Sequence, residues 1–147
     1  MARRGSVRYG FGTPMRNKPV LTAAEVRQML AAARAEAERN RWAVSIAIVD
    51  DGGCLLAFER LDGASPQSAD IATLKARSAA MMRLPTKALE DIVKERPGLM
   101  TMPGVLRVQG GLPIPCGAEW VGAVGVAGAA SGQDEQVATA CIAALSS

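Results

Sequence analysis

The sequence predicts an α+β fold, with a five-stranded, mostly antiparallel sheet and helices collected on one side of it. Apolar segments follow the order helix, two strands, two helices, three strands, helix, and turn-forming residues join the strands within each group. The regular alternation of strand and helix that builds a parallel sheet is missing. At 147 residues the chain has the length of one ordinary domain.

The first twenty residues are predicted to form a flexible basic arm, and residues 21–147 a single domain. Five basic residues precede the first acid, Glu25, and glycine and proline interrupt the segment repeatedly. A solvated arm is the favoured interpretation. Contact with nucleic acid or a membrane, and exchange of the arm within an oligomer, are the alternatives.

The first half of the domain begins with a helix. Thr22-Ala-Ala-Glu25 has the pattern of a capping box, and apolar residues then recur at helical spacing to about Asn40. Two strands follow, from Trp42 to Val49 and from Cys54 to Leu61, joined by the glycine-containing turn of residues 50–53.

Ser65 followed by proline marks the start of a second helix that should run to about Met82. Its alanine stripe permits close packing on a sheet or on another subunit. A shorter helix is predicted for residues 86–94. The remaining predicted elements are strands over residues 105–108, 112–116 and 119–127, and a helix that opens at the capping-box variant of residues 131–134.

Composition excludes several classes of function. There is no histidine, which removes the Ser-His-Asp triad, histidine-ligated zinc and the usual general base at neutral pH. Aromatic residues make up only 3%, which argues against base stacking on nucleic acid. Without the arm, the net charge of +3 becomes slightly negative. We therefore expect neither nucleic acid nor a membrane as a partner.

The three cysteines are far apart and form no C-x-x-C motif, so no metal site is predicted. We expect buried free thiols in a reducing compartment. No apolar segment of the signal-peptide or membrane-spanning kind is present. A cytoplasmic location is the resulting expectation.

Three places in the chain carry candidate ligand-binding residues. Arg60 and Asp62 end a predicted strand, where they could serve a ligand or pair with each other. Lys75 lies on a semi-apolar helix face, where it could extend to solvent or line a pocket. Gln109, Gly110 and Gly111 could present backbone amides to a ligand or close a hairpin. The strand-to-helix junction of residues 124–131 could likewise hold an anion or serve close packing.

Several motifs in order resemble the GlcG/HbpS-like family, which includes haem-binding HbpS, GlcG and the C-terminal domain of PduO-type proteins. The motifs occupy residues 49–64, 75–80, 108–114, 121–128 and 131–135. The resemblance extends over roughly residues 20–145. It implies a profilin-like fold with a five-stranded antiparallel sheet. It also implies homo-oligomers, commonly dimers assembled into rings or octamers.

The resemblance also indicates which residues form a pocket. These ligand-binding residues are Arg60, Asp62, Lys75, Gln109, Gly110 and Gly111. They suit a small anionic or carbonyl-bearing organic ligand, because Arg and Lys bind charge and turn amides hold an oxyanion. If the protein is an enzyme, Lys75 and Asp62 are the expected catalytic residues.

Three hypotheses about function follow. The first is a binding protein for a small molecule or haem. The second is a cofactor-independent isomerase, lyase or hydrolase acting on a catabolic intermediate, and the third is a structural or regulatory oligomer. No cofactor is required by the residues present. Haem lacks a histidine ligand, and the remaining candidates by residue type are Met81, Met82, Met100, Met102, Tyr9 and Cys54.

Overall fold

The computed structural model describes residues 15–146, so the greater part of the predicted arm, residues 1–14, lies outside the described residues. Residues 15–20 are exposed and form neither helix nor strand. The helices are α1 (Ala23–Arg39), α2 (Pro66–Met82), α3 (Thr86–Glu95) and α4 (Ser131–Ala143), with 3-10 turns at Pro97–Thr101 and Ala144–Ser146. The strands are β1 (Ser45–Asp50), β2 (Leu55–Arg60), β3 (Gly111–Cys116) and β4 (Glu119–Ala127).

The four strands form one antiparallel sheet in the order β2-β1-β4-β3. The α+β class and the antiparallel sheet are therefore confirmed, and the prediction of a fifth strand is wrong. Residues 105–108 form no strand, and side chains accept backbone amides within this segment and directly after it. The amide of Leu106 donates to Ser78 Oγ at 2.7 Å, and that of Gln109 donates to Glu90 Oε2 at 3.1 Å. A strand needs those groups for a ladder with a neighbour.

Helices cover both faces of the sheet, which corrects the expectation of helices on one side. Ile46 and Ile48 of β1 face a cluster built with α1 and α4, whereas Ala47 and Val49 face α2. Successive strand residues point to opposite faces, so a strand buried on both sides is apolar throughout. The uninterrupted burial of residues 44–49 reflects this position between two helical layers.

Helix α2 lies very close to β4. A Cβ atom at Gly125 would overlap the carbonyl oxygen of Ala72 and the amide nitrogen of Ala76, so only glycine fits. The alanines of α2 complete this tight contact, and packing on the sheet is thus one role of the stripe seen in the sequence.

Cap and turn residues in the sequence predict most of the observed helix and turn boundaries correctly. The capping box of α1 is present, because the Glu25 amide donates to Thr22 Oγ1 at 3.2 Å and the Thr22 amide donates to Glu25 Oε2 at 2.7 Å. In the β1–β2 turn, Asp50 Oδ1 accepts the amides of Gly52 and Cys54, both at 2.9 Å. Helix α2 starts at Pro66 as predicted, although the Ser65 side chain makes no capping hydrogen bond.

The cysteines differ from one another in exposure. Cys141 is buried, and burial raises the pKa of its thiol to about 12. Cys54 and Cys116 are exposed, so the expectation that all three thiols are buried is wrong. Cys54 follows the β1–β2 turn, and Cys116 is the last residue of the edge strand β3. Among residues 15–146, no helix is long and apolar enough to cross a membrane.

Candidate functional site

Lys75 belongs to α2, and its side chain is buried on the side of that helix that faces the sheet. Its side chain is only 3% exposed, and its ammonium group has two protein partners. Nζ donates to the carbonyl oxygen of Val126 at 2.9 Å and to Asp134 Oδ2 at 3.0 Å. A lysine ammonium has three N–H donors. One donor thus has no partner among the described residues.

Two glycines make room for this lysine. Gly110 has φ +128°, and a Cβ atom there would lie 2.8 Å from Lys75 Nζ and 2.7 Å from the Val126 carbonyl oxygen. A side chain at this position would displace the ammonium group. Gly111 lies against the backbone of Lys75 itself, and its amide donates to Thr86 Oγ1 at 2.8 Å. The Gly-Gly pair therefore serves close packing around Lys75.

Asp134 is the partner of Lys75, and it was missing from the predicted site. It lies in the first turn of α4, and its Oδ1 accepts the amide of Ala129 at 3.0 Å. Burial raises the pKa of the Asp134 carboxyl above its ordinary value, although the Lys75 charge and both hydrogen bonds act in the opposite direction. The sequence did carry a signal for it, because Asp134 is the acidic residue of the capping-box variant predicted at residues 131–134. In the structure the Ala130 amide donates to Gln133 Oε1, so the box begins at Ala130 and not at Ser131.

Lys75 and Asp134 line a cavity of about 260 Å³. Its remaining walls are Ser65, Ser68, Ile71, Val108, Ala127, Gly128, Ala129 and Ser131. Ser65 precedes α2 and Ser131 begins α4, so two helix N-termini adjoin the cavity. The first amides of a helix have no helical acceptor and carry partial positive charge. Together with the Lys75 ammonium they favour an anion.

Ser68 helps to hold the cavity wall in place. Its hydroxyl donates to the Ser65 carbonyl oxygen at 2.6 Å and lies 2.8 Å from Ser45 Oγ. Because both serines are buried, this contact ties the first turn of α2 to β1. The polar groups of this wall are therefore oriented before any ligand arrives.

The structure brings together only part of the predicted site. Lys75, Gly110 and Gly111 are in contact, and Val108, the neighbour of Gln109, lines the cavity. Arg60 and Asp62 instead line a separate depression of about 390 Å³, which shares no residue with the Lys75 cavity. Its other lining residues are Glu38, Arg41, Trp42, Ala43, Glu59 and Leu61. No ion pair within residues 15–146 joins Arg60 to Asp62.

The candidate haem ligands lie away from the Lys75 cavity, since none of those within the described residues lines it. Met81 is 63% exposed, and its Sδ lies beside the β1–β2 turn at Gly53. Tyr9 falls outside the described residues. The part of the chain that the structure describes also holds no group of three or more Cys, Asp or Glu side chains placed to bind a metal ion. The cavity therefore offers a cation, hydrogen-bond donors and the Asp134 carboxylate, and none of the candidate methionine and cysteine ligands within residues 15–146.

The fold and this cavity define a class of protein: a small α+β domain whose antiparallel sheet is enclosed by helices, with a buried lysine–aspartate pair beside a pocket. The family description "Haem degrading protein HbpS-like" matches residues 21–143. The chain belongs to this HbpS-like family, and the resemblance seen in its motifs is confirmed.

Individual relatives support the assignment. Protein GlcG of Escherichia coli (strain K12) is 41% identical over 113 residues, which cover 76% of this chain and 84% of GlcG. A crystal structure of a double mutant of Streptomyces reticuli HbpS superposes with a TM-score of 0.84 at 37% identity, covering 99% of this chain and 98% of that one. The structure of a PduOC:Heme complex has a TM-score of 0.80 at 26% identity, covering 86% of this chain and 95% of that one.

Proposed function

We propose that this protein binds a small anionic organic molecule in the Lys75 cavity. The observation behind the proposal is an N–H of Lys75 that has no partner among the described residues, on a lysine that is 98% buried and lines that cavity. A buried donor without a partner is unfavourable, and a ligand oxygen would satisfy it. Within residues 15–146, Asp134 is the only carboxylate lining the cavity, and it is already engaged with Lys75 and the Ala129 amide.

The size of the cavity limits the ligand. Pockets for drug-sized molecules measure about 300–1,000 Å³, so about 260 Å³ suits a molecule of fewer atoms. Charge and size together favour a short carboxylate. Arg60 and Asp62, lining their own depression, are not needed for this binding mode.

Haem is the second candidate ligand, because one relative is a PduOC:Heme complex and the family description names haem degradation. Histidine is absent from the chain, and none of the candidate methionine and cysteine ligands within residues 15–146 lines the cavity, so the described residues do not fit a haem iron site. A porphyrin would be held by apolar contact and by its carboxylates alone. We therefore expect at most weak haem binding, without a sharp low-spin spectrum on haemin titration.

Ligand-observed NMR with two- to six-carbon carboxylates, among them acetate, pyruvate, 2-oxobutyrate and succinate, tests the proposal. We expect saturable binding of at least one carboxylate, no binding of its methyl ester, and at least tenfold weaker binding to Lys75→Met. Lys87→Met, which removes an exposed lysine of α3, is the matched control and should bind as the wild type does. Equal binding of acid and ester, or no binding of any carboxylate, would overturn the proposal.

We further propose that the protein is a cytoplasmic homo-oligomer, built from dimers and extending to an octamer. The free cysteines fit a reducing compartment. Exposed apolar side chains at one edge of the sheet support self-association. Native mass spectrometry of the purified protein would report both the assembly and any retained small molecule.

A further inference from the structure

We propose that the Lys75–Asp134 pair catalyses enolisation of a short 2-oxo acid in this cavity. The Asp134 carboxylate takes a proton from the carbon next to the carbonyl group. The electron pair of that C–H bond forms the C=C bond, and the carbonyl π electrons move to oxygen, which accepts the free N–H of Lys75. Return of a proton to carbon regenerates the 2-oxo acid, so the net result is a redox-neutral exchange of that hydrogen with solvent, which needs no co-reactant. The inference rests on the proposed binding of a carboxylate here.

Lys75 is placed to stabilise the developing enolate oxygen. Its two hydrogen bonds, to Val126 and Asp134, hold Nζ in one position, and the absent side chain of Gly110 leaves that position open. A fixed donor directed at developing negative charge needs no reorganisation during the reaction. Ile71, Val108 and Ala127 add apolar surface to the cavity wall beside this donor.

Asp134 is placed to accept the proton. It lines the cavity, and each of its oxygens accepts one hydrogen bond, which leaves further lone pairs for a base. Burial raises the pKa of this carboxyl, so its carboxylate is a stronger base than that of an ordinary aspartate.

A 2-oxo acid has one group for each of three features of the cavity, which are the helix N-termini, the Lys75 donor and the Asp134 carboxylate. Its carboxylate suits the positive end formed by the starts of α2 and α4, with the Ser65 and Ser131 hydroxyls nearby. Its carbonyl oxygen suits the Lys75 donor, and its acidic C–H suits Asp134. Pyruvate is a molecule of this class small enough for about 260 Å³.

The test follows loss of the methyl proton signal of pyruvate in D2O by NMR, with binding measured in the same samples. We expect the wild-type protein to exchange deuterium into pyruvate at least tenfold faster than buffer, and oxamate, an isostere that cannot enolise, to suppress the exchange. Asp134→Asn should lower the exchange rate at least 100-fold while pyruvate binding changes less than tenfold. Asp91→Asn, at an exposed acid of α3, is the matched control.

The outcomes separate the two proposals. If the wild-type protein binds pyruvate without accelerating exchange, or exchange persists in folded Asp134→Asn, the catalytic inference is wrong and the binding proposal stands. If other carboxylates bind and pyruvate does not, the substrate class is wrong. If no carboxylate binds, the binding proposal fails as well. The oxamate measurement needs no variant, so exchange that persists when oxamate saturates the protein would still overturn the inference where Asp134→Asn does not fold.

Discussion

Lys75 and Asp134 show how a charged pair can be tolerated inside a small domain. Each ion loses its hydration, and the loss is offset by their mutual hydrogen bond, by the Val126 carbonyl oxygen and by the Ala129 amide. Removing one partner leaves the other charge buried and unpaired. The energetic consequences of single and double replacements therefore differ.

We predict strong coupling between these two residues. Lys75→Met and Asp134→Asn should each lower the free energy of unfolding by about 3–5 kcal/mol, because each leaves a buried charge alone. The double variant should lose clearly less than the sum of the single losses, as measured by urea denaturation. The exposed pair Lys87 and Asp91 provides the control cycle, for which we expect no measurable coupling. Additive effects at Lys75 and Asp134 would contradict this account.

The same pair gives stability a pH dependence of definite sign. The pKa of Asp134 is raised in the folded protein, mainly by burial, so the folded state holds this proton more tightly than the unfolded state does. Its contribution to the free energy of unfolding therefore declines as pH rises from the ordinary aspartate range through the folded pKa. Lys75→Met removes the influence that lowers this pKa, so its loss of stability should be smaller in acid than at neutral pH.

At the scale of elements, glycine decides how closely helices and strands approach. Gly125 of β4 faces the backbone of α2 without space for a methyl group. At Gly132 in the first turn of α4, by contrast, no neighbour in the described part of the chain lies within 4 Å of a Cβ atom. The same substitution should therefore have opposite effects at these two positions.

We predict that Gly125→Ala destabilises the protein by about 1–3 kcal/mol, because α2 must move off the sheet. Gly132→Ala should stabilise it by about 0.5–1 kcal/mol, because alanine is the better helix former. Denaturant unfolding of the two variants measures both effects. A neutral Gly125→Ala would show that α2 can shift at little cost, in conflict with the close approach observed.

Turn and cap chemistry also explains which elements could be predicted. The capping box of Thr22 and the turn of residues 50–53 use hydrogen bonds between neighbours in the chain, and both formed as expected. The strand predicted at residues 105–108 did not form. Ser78 and Glu90, which are remote in sequence, instead accept the amides of Leu106 within this segment and of Gln109 directly after it.

For the whole molecule, the two edges of the sheet differ. Strand β3 contains Pro113 and Pro115, which cannot donate to another strand. Strand β2 contains no proline and exposes Leu55 and Phe58, which pair with Val49 and Ala47 and so lie on the α2 side of the sheet. An open edge with apolar side chains is a surface for association.

We predict that the protein is larger than a monomer by light scattering at micromolar concentration, and that Phe58→Glu reduces its mass. Met100→Glu, at another exposed apolar side chain, should leave the mass unchanged. Deleting residues 1–18 should weaken the assembly more than it disturbs the fold. A monomeric wild-type protein would refute self-association, and an unchanged assembly after the deletion would identify the arm as a solvated tail.

The sequence alone determined most helix starts, the turns at residues 50–53 and 117–118 and the antiparallel sheet, and it singled out Lys75 as a candidate, because these depend on residues close in the chain or on one helical face. Only the tertiary structure decided that helices cover both faces, that Lys75 meets Asp134 from α4, and that Arg60 and Asp62 lie in another depression. Those outcomes depend on how distant segments pack. Periodicity in the sequence indicates which residues are buried. It does not indicate which distant residue each buried side chain contacts.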